Sequence, residues 1–191
     1  VVPLFHANGW GLAYTCALNG ASMVMPGRDM TAPGLYEMLE KGVTLTAAVP
    51  TIWLGMLQHL RQNKLSFSTL KRVVIGGSSC PRAVIEAFQL DYGAQVIHAW
   101  GMTETSPLGS VCSFKPEVAS LGAAEKLDVQ TSVGHPPYGV DLRITDDEGA
   151  ELPWDGKHQG KLWIRGYGVV KRYHRMEKDA AEPDTQWFDT G

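Results

Sequence analysis

The sequence predicts an α/β protein: a parallel, doubly wound sheet with helices over residues ~1–112, followed by part of an antiparallel, β-barrel-like subdomain. Two observations carry this. As far as Trp100-Gly101, short β-branched, apolar runs alternate with segments of helical period, the pattern of βαβ units. Beyond Pro107, alternating strands are separated by turn residues, which reads as an antiparallel sheet.

Taken in order, Ala21 to Met25 reads as a short buried strand closed by Pro26-Gly27. Thr31 can cap a helix with Pro33 in its first turn and Leu35, Met38 and Leu39 on one face; Gly42 ends it. Thr44 to Val49 is the next strand. Pro50 then opens a helix whose Ile52, Trp53, Met56, Leu57 and Leu60 recur at helical spacing. That stripe reads as core rather than as a ligand site. Lys71 to Ile75 forms a third strand, broken by Gly76-Gly77-Ser78-Ser79. A helix follows over Ala83 to Leu90, with Pro81 an apt first residue. Gln95 to His98 is a fourth strand running into Trp100-Gly101.

Residues 113–132 hold few strand formers and read as an irregular connection. Val140 to Thr145, the turn Asp146-Asp147-Glu148-Gly149 and Lys161 to Arg165 then form the β-rich part, 133–191. In parallel sheets ligands sit beyond the carboxyl ends of strands. The glycine turn at 76–77 and the Trp100-Gly101 turn both lie at such ends.

Composition narrows the function. The 191 residues are 44% hydrophobic, enough for a real core, and carry a net charge of −3 with a pI near 6.1. Nothing marks a polyanion binder, so nucleic acid is excluded as a partner class. Cys16, Cys80 and Cys112 are widely spaced, without CxxC or Cys/His metal spacing. Reduced thiols fit a reducing, cytoplasmic setting. No apolar run reaches membrane-spanning length, and the N-terminus does not read as a secretory signal. The apolar start Val1-Val2-Pro3-Leu4-Phe5 and the stop at Phe188-Asp189-Thr190-Gly191 predict a piece of a longer chain.

Three segments carry candidate chemistry. In Gly76-Gly77-Ser78, two glycines after a strand let backbone approach a ligand closely; a tight strand-to-helix turn explains them equally well. In Trp100-Gly101-Met102-Thr103-Glu104-Thr105, hydroxyl, carboxylate and hydroxyl gather at a strand end beside an aromatic that could stack on a base. A carboxylate suits a phosphate site if it binds Mg²⁺, which takes hard oxygen ligands alongside substrate phosphates. An N-cap with an acidic first turn accounts for Thr103 and Glu104 but leaves Trp100 unexplained. His6, in His6-Ala7-Asn8-Gly9-Trp10, is either a catalytic group or a structural residue packed near Trp10.

The ordered blocks resemble one family. They are Pro3-Leu4-Phe5-His6-Ala7-Asn8-Gly9-Trp10, Val49-Pro50-Thr51, Gly76-Gly77-Ser78, Trp100 through Pro107, Val133-Gly134-His135-Pro136, Gly160 through Gly166, and Trp187-Phe188-Asp189-Thr190-Gly191. Together they resemble the adenylate-forming superfamily of acyl- and aryl-CoA ligases, peptide-synthetase adenylation domains and luciferases. Within it the chain looks most like the medium- and long-chain fatty-acyl-CoA synthetases and the methylmercaptopropionate-CoA ligases.

That resemblance implies an acid–thiol ligase using ATP, Mg²⁺ and CoA to activate a carboxylic acid, either a fatty acid or a short thioether acid. By the resemblance, Thr103 matches a phosphate-binding Thr, Glu104 the Mg²⁺-coordinating Glu, and His6 a His near the reacting carboxylate; these are the implied catalytic residues. Gly76, Gly77 and Ser78 match the loop along the adenylate, and His98, Ala99, Trp100 and Gly101 the adenine segment. Trp100 stands where the family usually has Tyr, and His98 where it often has Gln, Asn or Asp. Trp10 matches the gate of the acyl tunnel, with Val49, Thr51 and Met102 as further lining. The family's phosphate loop is expected before residue 1, and its ribose-binding Asp directly after Gly191. Its small C-terminal domain, with the adenylation lysine, is expected beyond that, and a homodimer is possible for the full-length protein. Two other readings are a non-catalytic nucleotide- or acyl-binding module and an adenylating enzyme that loads a carrier-protein thiol.

Overall fold

A computed structural model describes residues 1–191. It contains helices α1 (Ala7–Trp10), α2 (Leu12–Leu18), α3 (Ala32–Leu39), α4 (Pro50–Asn63), α5 (Arg82–Glu86), α6 (Pro116–Ala119) and α7 (Ala123–Thr131). The strands are β1 (Leu45–Ala48), β2 (Arg72–Ile75), β3 (Gln95–Gly101), β4 (Leu108–Val111), β5 (Val140–Thr145), β6 (Lys161–Gly166) and β7 (Phe188–Asp189). They form two sheets, ordered β1-β2-β3-β4 and β5-β6-β7.

The α/β class and its parallel centre agree with the sequence. β1, β2 and β3 run parallel in register, Ala48 beside Ile75 and Ile75 beside His98. The first sheet is nevertheless mixed, because β4 returns antiparallel along β3. The second sheet is three antiparallel strands and does not close into a barrel.

Local chemistry explains the helices. Thr31 caps α3, its Oγ1 accepting from Gly34 N at 3.3 Å, and Asp29 Oδ1 in turn accepts from Thr31 Oγ1 at 2.6 Å. Pro50 opens α4, where its missing N–H costs no hydrogen bond. The left-handed Lys64 closes it. The stripe Trp53, Met56, Leu57 and Leu60 is buried against Val73, Ile75 and Val96 of the sheet and against Val84, Ile85 and Phe88. Trp53 packs edge-on to Phe88 with ring centroids 5.4 Å apart, and its Nε1 donates to the Ala48 carbonyl at 3.1 Å. The indole is thereby fully accounted for as core.

Three expectations are corrected. Ala21 to Met25 is neither a strand nor buried: Met23, Val24 and Met25 are 48%, 43% and 55% exposed. An extended apolar run becomes a strand only when another strand supplies its hydrogen bonds, and none lies beside this one. The helix over Ala83 to Leu90 divides into α5 and a π-helical turn, Ala87–Asp91. Residues 113–132 are not irregular throughout, since α6 and α7 lie within them. The Ala, Glu, Lys, Leu and Gln of α7 are good helix formers, and Leu127 joins the core.

Candidate functional site

The carboxyl ends of β1, β2 and β3 lead into Val49, Gly76 and Met102, and part of the expected site set lies there. α1 covers part of this edge. It begins at His6 and contains left-handed Asn8 (φ 51°) and Gly9 (φ 65°), so it is a tight turn rather than a regular helix. The turn brings the outer edge of the Trp10 indole over the glycine loop. A Cβ built on Gly76 would lie 2.9 Å from the Ala99 carbonyl oxygen and 3.4 Å from Trp10 Cη2. One built on Gly77 would lie 3.0 Å from Val49 Cγ1 and 3.6 Å from Trp10 Cζ2. Gly77 also takes φ +81°, which favours glycine. Trp10, Val49, Gly76, Gly77 and Ala99 therefore form one contiguous patch.

Gly11 extends the patch toward the next loop, with a Cβ there coming 3.8 Å from Pro107 Cδ. That loop begins where the β3–β4 register shifts at Trp100/Gly101, an irregularity that re-aims the backbone. Gly101 is tightly enclosed, since any Cβ would collide with the Pro107 carbonyl. Thr103–Thr105 then forms one 3₁₀ turn. The buried Thr105 hydroxyl fixes it, accepting from Met102 N at 3.0 Å and lying 2.6 Å from the Pro107 carbonyl and 2.9 Å from that of Met102. With Thr105 turned inward, Thr103 is exposed and Glu104 half-buried.

The Glu104 carboxylate enters no ion pair; its Oε1 accepts from the Tyr173 hydroxyl at 2.9 Å. Its main-chain carbonyl accepts from Val170 N at 2.7 Å. The hydrogen bond to Glu104 raises the Tyr173 phenol above its ordinary pKa. Neither Tyr173 nor Val170 stood out in the sequence. The contact spans 69 residues, and no local spacing signals it.

Other expected residues sit apart. His98 is 1% exposed, with Nδ1 3.2 Å from the Gln130 carbonyl of α7 and Nε2 without a partner. Its position beside Ile75 puts it on the helix-covered face of the sheet. The Trp100 ring lies against Gly109 of β4, which in turn adjoins Ile164 of β6, so it helps join the two sheets. His6, Thr51 and Ser78 are exposed, and the His6 ring makes no hydrogen bond.

No group of three or more His, Cys, Asp or Glu residues forms a metal cage. Glu104 still suits a hard cation held mainly by substrate phosphates, the usual arrangement for Mg²⁺ with nucleotides. Its carboxylate is half-exposed, is not neutralised by any cation, and has Oε2 without a hydrogen bond.

Comparison with known proteins identifies the setting. Residues 1–174 match the AMP-binding enzyme family. The chain is 43% identical to the 3-methylmercaptopropionyl-CoA ligase of Ruegeria lacuscaerulensis and 42% identical to a medium-chain-fatty-acid–CoA ligase of Ectopseudomonas oleovorans, covering all of this chain and 35% of each relative. Thus it spans about a third of the length of those relatives. Among solved structures, o-succinylbenzoate CoA synthetase of Bacillus subtilis in complex with ATP and magnesium ion superposes with a TM-score of 0.77 at 25% identity, over all of this chain and 37% of that one.

Proposed function

The chain belongs to the AMP-binding enzyme family, and on that premise we propose that it forms the central part of an ATP-dependent acyl-CoA ligase. The reaction has two halves. A carboxylate attacks the α-phosphate of ATP, giving acyl-AMP and pyrophosphate; the CoA thiol then displaces AMP and leaves the thioester. The observation that carries this reading is the strand-end loop in which the half-exposed Glu104 carboxylate follows the Thr103 hydroxyl on a turn fixed by Thr105.

In this reading Glu104 would hold Mg²⁺, which supplies charge neutralisation for the phosphate oxygens. The protein's own residues do the positioning, since negatively charged oxygens must meet in line. Thr103 donates its hydroxyl to phosphate. The 76–78 loop and the Ala99–Gly101 segment flank the adenosine, and Trp100 offers the aromatic surface. His6 orients the carboxylate rather than deprotonating it, because a carboxylic acid is already ionised at neutral pH. His98 acts through the fold, as its burial against Gln130 supports.

Trp10 favours an acyl chain as the substrate's tail, since it sets an apolar indole beside Val49 over the glycine loop. The organic substrate is then a fatty acid or a short thioether acid, with ATP and CoA as co-substrates and the cytoplasm as the site of action. No helix is long and apolar enough to cross a membrane.

The test is product analysis of the full-length polypeptide carrying this chain. Incubation with a series of carboxylic acids, ATP and CoA is expected to give acyl-CoA, AMP and pyrophosphate. Acyl transfer only to a carrier-protein thiol would favour the carrier-loading reading instead. ATP binding without turnover of any acid would favour a binding module.

A further inference from the structure

The main chain around Tyr173 is held by hydrogen bonds that do not involve the Glu104 carboxylate. After β6 ends, Val169 N donates to the Gly166 carbonyl at 3.1 Å, turning the chain back toward the 103–105 turn. The segment 167–180 forms a strap, closed beyond Tyr173 by Met176 N to the Tyr173 carbonyl at 3.1 Å and Ala180 N to the Lys171 carbonyl at 2.8 Å. Arg172 Nε also donates to Asp179 Oδ1 at 2.7 Å. The strap then grips one residue twice: Val170 holds the Glu104 main chain and Tyr173 its side chain.

Tyr173 as a whole is 46% exposed and so contributes little to the core; the hydroxyl is what makes the specific contact. The choice of donor matters too. An arginine or lysine at this place would order the carboxylate but also neutralise it. A phenol orders it while leaving its negative charge intact, and occupies one oxygen only. A free glutamate side chain is flexible and loses rotamer freedom when fixed. Ordering it in advance removes that cost from metal binding.

We propose that Tyr173 is a positioning residue for the metal-binding carboxylate, holding Glu104 Oε1 through its hydroxyl so that Oε2 stays available to a divalent cation. This rests on the reading of Glu104 as the cation ligand. Partners that orient a metal ligand typically change metal affinity 10- to 100-fold when removed.

The experiment uses the full-length polypeptide, Mn²⁺ as the probe and ATP present, with free Mn²⁺ counted by electron paramagnetic resonance. Wild type, Tyr173→Phe, Glu104→Gln and the double variant are compared, and ATP affinity in EDTA is measured for each. Tyr173→Phe removes one oxygen from a half-exposed ring and leaves the fold intact. It is expected to weaken Mn²⁺ binding about 10-fold without changing ATP affinity in EDTA, and to have no further effect in the Glu104→Gln background. Unchanged Mn²⁺ affinity in Tyr173→Phe, with affinity lost in Glu104→Gln, would overturn the role of Tyr173 and leave that of Glu104 standing. Wild-type affinity in Glu104→Gln would overturn both. A Tyr173→Phe loss that recurs undiminished in the Glu104→Gln background, or an equal loss of metal-free ATP affinity, would make Tyr173 a general structural residue and overturn the proposal.

Discussion

The outer edge of the Trp10 indole lies across the Gly76-Gly77 turn, close enough that a Cβ on Gly76 would come within 3.4 Å of Trp10 Cη2. This contact joins a turn near the start of the chain to the end of β2, and it sets up the first two predictions.

Gly76→Ala is expected to destabilise the protein by about 1–3 kcal/mol, the usual cost of overpacking. The added methyl meets the fixed Ala99 carbonyl oxygen at 2.9 Å as well as the indole. Urea denaturation read by tryptophan fluorescence checks this. A midpoint equal to wild type would show that the turn has room to relax.

If the proposed reaction holds, Trp10→Ala is expected to alter acyl-chain preference in the full-length polypeptide while leaving ATP affinity in place. The indole covers the glycine loop beside Val49 and lies on a different segment from Thr103 and Glu104. The measurement is kcat/KM over acids of increasing chain length. An unchanged preference profile would contradict the proposed acyl-chain role of Trp10.

Thr105→Val is expected to cost about 1–3 kcal/mol by stranding the buried groups that the hydroxyl satisfies. Met102 N would lose its acceptor, and the Pro107 carbonyl its partner. Thr105→Ser, which keeps the hydroxyl, is expected to recover most of that stability. Denaturation midpoints of the two variants are the check.

Burial pushes the Cys80 thiol up from 9.0 to about 11. Between these values the unfolded chain releases a proton that the folded chain keeps, so stability falls as the pH rises. The contribution is fully present below 9.0 and is lost as the pH passes through about 11. Wild type is therefore expected to lose more stability than Cys80→Ala between about pH 8 and pH 10.5. Parallel urea melts of the two at both pH values measure the difference; equal losses would contradict it.

Features set by short sequence intervals were legible. The Pro50 start of α4 and the Trp53, Met56, Leu57 and Leu60 stripe are local matters of capping and period, and both are present. The glycines at 76 and 77 and the turn at 101 are legible for the same reason. Ala21 to Met25 has the composition of a strand but is not one, because a strand depends on a neighbour as well as on composition. α7 leaves little trace in the sequence because Leu127 and Gln130 are its only buried positions, too few to mark a helical period. His98 looked like a ligand contact by its place in a motif, yet strand alternation turns it toward α7. Tyr173 touches Glu104 only because a second sheet brings the strap across the first, a relationship that no spacing along the chain encodes.

The central claim is that Glu104 holds the cation of an adenylating site. Carboxylate-dependent exchange of labelled pyrophosphate into ATP, in the full-length polypeptide, tests it most directly. Glu104→Gln keeps the size of the side chain and a hydrogen-bonding group for Tyr173 while removing the charge. Its exchange rate is expected to fall by about 100-fold or more, in line with the loss of a charged group that stabilises a transition state. Exchange at the wild-type rate in a folded Glu104→Gln protein would contradict the account.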